Sequence, residues 1–251
     1  MFSLKNKVIV ISGASSGIGR QCAISCSKQG AKIILLARNK INLTDTLDNL
    51  TGKNHLIFAL DIQDSIEIEN SIKQAISQLG LIDGFIHCAG IQNTLPLRLH
   101  TPEIYNNQFS INAVAGFETC RIISKPEYIN PTGASFILIS SIRGMLGISN
   151  QVGYSASKGA VISGVKSIAI ELAKKNIRVN SISPGIVEDT KMTNSIIKHL
   201  SQEWSEKNKL EYPLGWINTS DIANACIYLL SDEASKITGI NLVIDGGYSA
   251  K

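Results

Sequence analysis

Seven short apolar runs, separated by longer amphipathic segments, constrain the fold of this chain more than any other feature. The runs are uninterrupted rather than alternating with polar residues, which is typical of strands covered on both faces. They occupy residues 8–11, 33–36, 56–59, 82–86, 136–139, 179–182 and 240–244. Helical patterns lie between them, for example over residues 17–29, 65–79, 154–175 and 221–230. This alternation predicts an α/β fold in which a doubly wound parallel sheet of about seven strands carries helices on both faces.

The length and composition predict a single domain over residues 1–251, because no linker-like tract, repeat or low-complexity block interrupts the pattern. The net charge of +4 is small and dispersed, which argues against a nucleic-acid partner. No apolar stretch reaches the roughly 18 residues of a membrane span, and the first residues lack a signal-peptide pattern. We therefore expect a cytoplasmic protein with neither nucleic-acid nor membrane partners.

The five cysteines and four histidines show no metal-ligand spacing, so no metal site is predicted. The cysteine count is odd and no export signal accompanies it, so reduced thiols are expected. Cys22 and Cys26 share one face of a predicted helix, where packing is the expected role.

Residues 190–216 interrupt the alternation with a long segment of helical pattern that is rich in Lys, Glu and Ser. The segment follows the sixth predicted strand, at the sheet edge where doubly wound folds bind ligands. Two interpretations are open, an ordinary pair of surface helices or a small mobile lid over a substrate. We favour the helical lid.

A glycine-rich turn, residues 12–19, joins the first predicted strand to the first helix. Glycines let the backbone approach a pyrophosphate closely, and the free N–H groups at the helix N-terminus favour its negative charge. The spacing is G-x-x-x-G-x-G, whereas the more common fingerprint is G-x-G-x-x-G. We expect a dinucleotide cofactor on this turn, bound through Gly13, Ser15, Ser16, Gly17, Ile18 and Gly19.

The end of the second predicted strand is expected to face the adenosine ribose of that cofactor. NAD(H) sites place a carboxylate here for the ribose 2′-hydroxyl, but this chain has Arg38 and no carboxylate. The planar guanidinium of Arg38 suits a 2′-phosphate, which favours NADP(H) over NAD(H), although a plain surface role is the alternative. Asp61 and Ile62 follow the third strand and are expected beside the adenine. The carboxylate of Asp61 could bind the adenine amino group, cap the next helix, or both.

Tyr154 and Lys158 lie four residues apart in a predicted helix, so their side chains share one face. The ammonium group is expected to lower the pKa of the neighbouring phenol below its usual value of about 10. Such a phenol suits general acid–base catalysis on an alcohol or a carbonyl. Taken alone, the pair also fits a solvated helix surface.

Further motifs follow in order along the chain. They comprise residues 87–90, 140–144, 180–185, 232–235, 238–239 and 245–247, together with Asn112. With the glycine turn and the Tyr-x-x-x-Lys pair, they make the sequence resemble the short-chain dehydrogenase/reductase family over nearly its full length. The pattern is most similar to that of 3-oxoacyl-[acyl-carrier-protein] reductases. The resemblance implies a Rossmann-type fold and a homodimer or homotetramer that pairs through the helices near residues 101–124 and 152–175.

The resemblance assigns catalytic roles to Asn112, Ser141, Tyr154 and Lys158. Tyr154 is implied to donate a proton to the substrate oxygen, while Ser141 stabilises the developing oxyanion. Lys158 is implied to hold the nicotinamide ribose, and Asn112 to anchor a water that links Lys158 to solvent. Ser140 is the alternative to Ser141, although the spacing to the following glycine favours Ser141.

The resemblance also implies further cofactor contacts near the nicotinamide. They are Ala89, Gly90, Pro184, Gly185, Val187 and Thr190, in addition to Tyr154 and Lys158. Residues 184–192 are one residue longer than the common pattern, so the contact from Thr190 to the nicotinamide carboxamide is left open.

The chain departs from the family pattern at two further places. His87 and Cys88 replace a usual asparagine pair, which is expected to alter local hydrogen bonding rather than the chemistry. Thr132 and Ser135 stand where carrier-protein reductases commonly have arginines, which weakens the case for an acyl-carrier substrate.

The expected activity is therefore the NADPH-dependent reduction of a carbonyl to an alcohol, with a 3-oxoacyl thioester as the best single substrate. The alternatives within the same chemistry are sugar, polyol or secondary-metabolite ketones. A protein that senses NADP(H) without turnover is a third hypothesis, which the complete catalytic set argues against.

Overall fold

The computed structural model of the protein describes residues 2–197 and 202–250. Its strands are β1 Val8–Ser12, β2 Lys32–Ala37, β3 Leu56–Ala59, β4 Gly84–His87, β5 Ala134–Ile139, β6 Ile177–Pro184 and β7 Asn241–Ile244. All of them pair in parallel in one sheet with the order β3-β2-β1-β4-β5-β6-β7. The predicted doubly wound, Rossmann-type α/β fold is confirmed.

The helices connect successive strands. They are α1 Gly17–Lys28, α2 Lys40–Asp48, α3 Ser65–Leu79, α4 Pro102–Phe109, α5 Ala115–Ile123, α6 Val152–Leu172, α7 Lys191–Ile197, α8 Gln202–Leu210 and α9 Thr219–Leu230. A π-helical turn, Ser110–Val114, joins α4 to α5. Within the described residues, no helix is both long enough and apolar enough to span a membrane.

Side chains of β1 alternate between two hydrophobic clusters on opposite faces of the sheet. Val8 and Val10 pack in the cluster that also contains residues of α3, α5 and α6. Ile9 and Ile11 pack in the cluster that contains residues of α1, α2 and α9. Because helices cover both faces, both sets of strand side chains must be apolar, which explains the uninterrupted runs in the sequence.

The cysteines of α1 belong to the second cluster. Cys22 and Cys26 are fully buried, which confirms their packing role, and Sγ of Cys22 lies 3.8 Å from Sγ of Cys226 in α9. All five cysteines are free thiols. No group of three or more His, Cys, Asp or Glu side chains in the described part of the chain is arranged to hold a metal ion.

The start of β4 differs from the prediction. The strand begins at Gly84 rather than at residue 82, and Ile82 makes only an isolated bridge. Asp83 precedes the strand, and its carboxylate accepts hydrogen bonds from the backbone N–H of Val8 and from Nδ2 of Asn130, both at 2.8 Å. The backbone of Asp83 also bonds both neighbouring strands, through its N–H to the carbonyl of Val8 at 2.9 Å and through its carbonyl to the N–H of Ser135 at 3.0 Å.

The predicted lid, residues 190–216, contains α7 and α8, and its residues 198–201 lie outside the described part of the chain. Its second half is attached to the body of the protein by polar contacts. Lys209 forms an ion pair of 2.6 Å with Glu188, and its Nζ lies 4.7 Å from the ring centre of Trp216. The helical character is confirmed, while closure over a substrate stays a prediction.

Candidate active site

A cleft with a cavity volume of about 680 Å³ opens where the chain leaves the carboxyl ends of the strands. This is the edge at which doubly wound sheets bind ligands. The predicted site residues that line it are Gly13, Ser15, Ser16, Gly17, Ile18, Gly19, Arg38, Asp61, Ile62, Ala89, Gly90, Ser141, Tyr154, Lys158, Pro184, Gly185, Val187 and Thr190. Asn112 is fully buried behind the cleft wall.

The glycine turn presents bare backbone to the cleft. Gly13 has φ +67°, and a Cβ there would lie 2.7 Å from the backbone N of Ala89, so a side chain would clash. Gly17 has φ +52°, and a Cβ added to Gly19 would collide with the carbonyl oxygen of Gly13. The turn leads into the 12-residue helix α1, whose first N–H groups and dipole favour an anion. These features fit the pyrophosphate of a dinucleotide.

The residues expected at the adenosine end lie at one rim of the cleft. Arg38 follows β2 and is exposed, and its guanidinium makes no hydrogen bond or ion pair with other described residues. Asp61 is half-buried and accepts a hydrogen bond of 3.0 Å from the backbone N–H of Gln63. Asp64, rather than Asp61, caps α3 by accepting from two backbone amides of its first turn. The helix-cap alternative for Asp61 is therefore wrong, and its carboxylate remains at the rim.

Two adjacent serines follow β5 and point in different directions. The hydroxyl of Ser140 donates a hydrogen bond of 2.8 Å to the carbonyl of Lys158, so it is used inside the protein. Oγ of Ser141 accepts a hydrogen bond of 3.1 Å from the backbone N–H of Arg143 and interacts with the phenol of Tyr154. This arrangement favours Ser141 as the serine that can reach a ligand.

Burial shifts the pKa values of both residues of the Tyr-x-x-x-Lys pair. It raises the pKa of Tyr154, and the hydroxyl of Ser141 and the charge of Arg143 only partly offset this effect. Burial also lowers the pKa of Lys158 to about 8. Nζ of Lys158 donates a hydrogen bond of 2.8 Å to the carbonyl of Ile139 and lies 5.8 Å from the ring centre of Tyr154. The expectation that Lys158 brings the pKa of Tyr154 below its usual value is therefore wrong, because burial raises this pKa by more than Ser141 and Arg143 lower it.

Asn112 lies in the π-helical turn Ser110–Val114, a distortion often found at functional sites. Its Oδ1 accepts from the backbone N–H of Ile91 at 2.8 Å, and its Nδ2 donates to the carbonyl of Ile91 at 3.0 Å and to Oγ of Ser157 at 2.9 Å. The side chain thus ties the loop after β4 to α6. Both of its N–H donors are used, and the water link to Lys158 stays a prediction.

Thr190 lines the cleft directly before α7 begins. Its hydroxyl donates to the carbonyl of Val187 at 3.2 Å and accepts from the backbone N–H of Thr193 at 3.1 Å. These bonds place Thr190 at the start of α7 on the cleft wall, while a contact to the carboxamide stays a prediction. Gly185 lets β6 approach the C-terminal segment, since a Cβ there would lie 3.0 Å from Cα of Asp245.

His87 connects three elements beneath the cleft. Its Nδ1 lies 2.9 Å from Oγ of Ser12 in β1, and its Nε2 lies 3.1 Å from the carbonyl oxygen of Ile111 in the π-helical turn. A carbonyl only accepts, so Nε2 carries the proton and Nδ1 accepts from the serine hydroxyl. The ring also needs Gly116, where a Cβ would lie 2.8 Å from the imidazole.

His87 is expected to make stability depend on pH. Burial, together with the charge of Lys158, lowers the pKa of His87 from 6.5 to about 3, so the fold favours the neutral ring. Stability is then complete above pH 6.5 and is lost as the pH falls towards 3. From this ring alone we expect a loss of roughly 2–3 kcal/mol between about pH 7 and about pH 4.5.

Urea denaturation at several pH values measures this loss, with His87→Asn as the matched variant. The variant removes the titrating ring and keeps a hydrogen-bonding side chain, so its stability should fall less steeply with acid. Equal pH slopes for the two proteins would contradict the assignment.

Comparison with known proteins identifies the family. Residues 13–249 match the family described as enoyl-(acyl carrier protein) reductase. The chain is 34% identical over 244 residues to 3-oxoacyl-[acyl-carrier-protein] reductase of Homo sapiens, which covers 96% of this chain and 98% of that protein. This chain belongs to the short-chain dehydrogenase/reductase family.

Other members of the family agree with this assignment. The short-chain dehydrogenase/reductase described here is 31% identical to 3-oxoacyl-[acyl-carrier-protein] reductase of Chlamydia trachomatis, with 97% of this chain and 98% of that protein covered. Its structure superimposes on carveol dehydrogenase from Mycobacterium avium, solved in complex with NAD, with a TM-score of 0.92, 25% identity and complete coverage of both chains. The protein is an NAD(P)-dependent oxidoreductase.

Several polar residues of the cleft in this short-chain dehydrogenase/reductase escaped the sequence analysis. Arg143 and Gln151 line the cleft, as do Tyr212 and Tyr248, whose rings stack with centres 4.6 Å apart. Arg143 lies two residues after Ser141, so its proximity to the serine motif was an available signal. Tyr212 lies in the predicted lid, residues 190–216, which was its signal, whereas Tyr248 had none because the fold brings it in from a distant part of the chain.

Proposed function

We propose that the protein reduces a carbonyl to an alcohol with NADPH as the hydride donor, and that a 3-oxoacyl thioester is its best single substrate. The observation that carries the proposal is the meeting of Ser141, Tyr154 and Lys158 in the same cleft as the bare glycine turn. The identity to two 3-oxoacyl-[acyl-carrier-protein] reductases supports the substrate class. The proposal is tested by adding an acetoacetyl thioester to the enzyme and following the absorbance of NADPH as it is oxidised. The absence of turnover with any carbonyl compound would contradict it.

The residues that would hold the cofactor run along the cleft from Arg38 to Thr190. The glycine turn would hold the pyrophosphate, Asp61 and Ile62 the adenine, and Lys158 the nicotinamide ribose. When bound, NADPH supplies the hydride that reduces the carbonyl carbon.

The chain's own residues would handle the proton and the charge. The phenol of Tyr154 keeps its proton at neutral pH, because its ordinary pKa is about 10 and burial raises that pKa, so its hydroxyl can donate to the carbonyl oxygen. Ser141 would donate a second hydrogen bond to that oxygen as negative charge develops. The ammonium of Lys158, whose pKa is about 8, would favour the phenolate left on Tyr154. Asn112 would hold the loop that follows β4 against helix α6, through its hydrogen bonds to Ile91 in the loop and to Ser157 in the helix.

Arg38→Asp is expected to reverse the cofactor preference. The guanidinium at the rim has no competing partner among the described residues, which leaves it available to a 2′-phosphate. The substitution removes this contact and places a carboxylate that would repel the phosphate and accept from a ribose 2′-hydroxyl. We expect the kcat/KM ratio of NADPH over NADH to fall by roughly 10- to 100-fold, the value of one or two charge-assisted hydrogen bonds.

Steady-state kinetics with both cofactors measures this ratio. Arg98→Asp is the matched control, since Arg98 is exposed and outside the cleft and its replacement should leave the ratio unchanged. An unchanged ratio in Arg38→Asp would favour NAD(H), the cofactor present in the carveol dehydrogenase structure.

The alternative substrates are sugar, polyol and secondary-metabolite ketones. Thr132 and Ser135, in place of the basic residues common in carrier-protein reductases, favour them, and Ser135 is buried with its hydroxyl bound to the carbonyl of Leu229 at 2.7 Å. Activity on free ketones with none on thioesters would select this alternative. A sensor without turnover is the least favoured function, because it has no need of a serine, a tyrosine and a lysine in one cleft.

We also propose a homodimer or homotetramer that pairs through α4, α5 and α6. Val161, Val165 and Ala169 of α6 are fully buried in the core, so they are not available to a partner. By contrast, Ile170 of α6 is 79% exposed and Val114, just before α5, is 53% exposed. These apolar side chains support an interface, which analytical ultracentrifugation can measure. We also propose that residues 190–216 act as a lid over the substrate and that the protein is located in the cytoplasm.

A further inference from the structure

Arg143 places an unpaired positive charge in the part of the cleft that also contains Ser141 and Tyr154. It lies in the turn Ile142–Gly144, directly after Ser141, and is half-buried. Its guanidinium lies 5.5 Å from the ring centre of Tyr248, which holds it by a cation–π contact. No carboxylate of the described residues forms an ion pair with it.

The rest of the cleft does not neutralise this charge. Its described lining residues include the basic side chains of Arg38, Lys158 and Lys191 besides Arg143, whereas Asp61 is the only carboxylate among them. Asp61 follows β3 and Arg143 follows β5, four strand positions apart in the sheet order, which corresponds to about 19 Å. Asp245 lies near the cleft but accepts hydrogen bonds from the backbone N–H groups of Gly247 and Ser249.

Gln151 supplies a second, independent observation. It lies three residues before Tyr154, lines the same cleft and is 91% buried, with 9% of its surface exposed. Its Oε1 has no hydrogen-bond partner among the described residues. A buried amide oxygen without a partner is unfavourable in the protein alone, so its place in the cleft wall points to a hydrogen-bond donor on the ligand.

We propose that the carbonyl substrate carries an anionic group, which the guanidinium of Arg143 binds, and a further polar group, which hydrogen-bonds to Gln151. This inference rests on the proposed function. Two substrate chemistries supply the anion: the carboxylate of an oxo acid, including a keto-sugar acid, and the phosphates of a coenzyme A thioester. Arg143 and Gln151 then select among carbonyl compounds, while Ser141 and Tyr154 act on the carbonyl itself.

Turnover of matched substrates tests the selection. Acetoacetate and ketogluconate carry a carboxylate, acetoacetyl coenzyme A carries phosphates, and acetoacetyl-N-acetylcysteamine is a neutral thioester. For Arg143→Met we expect kcat/KM to fall by about 10- to 100-fold for the anionic substrates that the enzyme accepts and to stay within about threefold for the neutral one. Arg143→Lys should recover part of the loss, and Arg98→Met, outside the cleft, should show none. An equal loss for neutral and anionic substrates, or no loss for either, would overturn the proposal.

Binding without turnover separates this inference from the proposed activity. NADP⁺ cannot reduce a ketone, so calorimetric titration of the enzyme–NADP⁺ complex with each anionic compound measures affinity alone. We expect Arg143→Met to weaken binding by about 10- to 100-fold and Gln151→Leu to weaken it less, with the Kd for NADPH unchanged in both. Binding that depends on Arg143 in the absence of turnover would uphold the inference and reject the reductase function. Affinity that is the same with and without Arg143, or undetectable for every anionic compound in the wild type, would overturn the inference, as would a matching loss of NADPH affinity.

Discussion

Tyr154→Phe is expected to lower kcat for carbonyl reduction by roughly 10²- to 10⁴-fold, the usual contribution of a general acid. The substitution removes the hydroxyl that is proposed to donate the proton and keeps the ring, which is 8% exposed and packed in the cleft wall. Because the glycine turn and Arg38 are untouched, the Kd for NADPH should not change. Single-turnover kinetics with cofactor in excess separates the two quantities.

The control for this variant is Tyr128→Phe. The hydroxyl of Tyr128 donates a hydrogen bond of 2.8 Å to Glu69, away from the cleft, so its loss should leave kcat unchanged. If Tyr154→Phe kept the turnover of the wild type, the proton would come from elsewhere and the proposed role of Tyr154 would be rejected.

Ser141→Ala is expected to lower kcat by roughly 10²- to 10³-fold, the effect of removing one donor to a developing oxyanion. Its hydroxyl interacts with the phenol of Tyr154 and is anchored by the N–H of Arg143, so it is held beside the group that donates the proton. The variant should also lose about 1 kcal/mol of stability, since the N–H of Arg143 loses its hydrogen bond to Oγ of Ser141, which caps the turn Ile142–Gly144.

Ser140→Ala is the matched comparison, because it removes the same atom one residue earlier. Ser140 donates to the carbonyl of Lys158, so we expect a loss of about 1 kcal/mol of stability, typical of one hydrogen bond, and a kcat within a fewfold of the wild type. Steady-state kinetics and urea denaturation of both variants measure these effects. A larger loss of kcat in Ser140→Ala than in Ser141→Ala would show that Ser140, rather than Ser141, stabilises the developing oxyanion.

Local signals in the sequence were sufficient for the parallel sheet and for most of the cleft. Strands buried on both faces must be apolar throughout, so their runs are visible without a structure. The glycine turn and the Tyr154–Lys158 pair could be located because both depend on spacing along a single segment. By contrast, the exact start of β4 could not be predicted, because Asp83 binds Val8, which is 75 residues away.

The electrostatics of the site depend on contacts between distant segments. The pKa of Tyr154 is raised because neighbouring elements exclude water from its phenol. This effect cannot be predicted from the spacing of residues along a helix. The low pKa of His87 likewise depends on burial and on the charge of Lys158, which lies in a different helix.

The sequence by itself determined the fold class, because buried parallel strands leave apolar runs at regular intervals, and its ordered motifs carried the resemblance to the family from which the catalytic side chains are predicted. Only the tertiary structure decided the strand order, the pKa shifts of Tyr154 and Lys158 and the position of Arg143 in the cleft wall. Burial and charge pairing arise where segments far apart in the chain pack together, and the free energy of a proton or an ion depends on that packing.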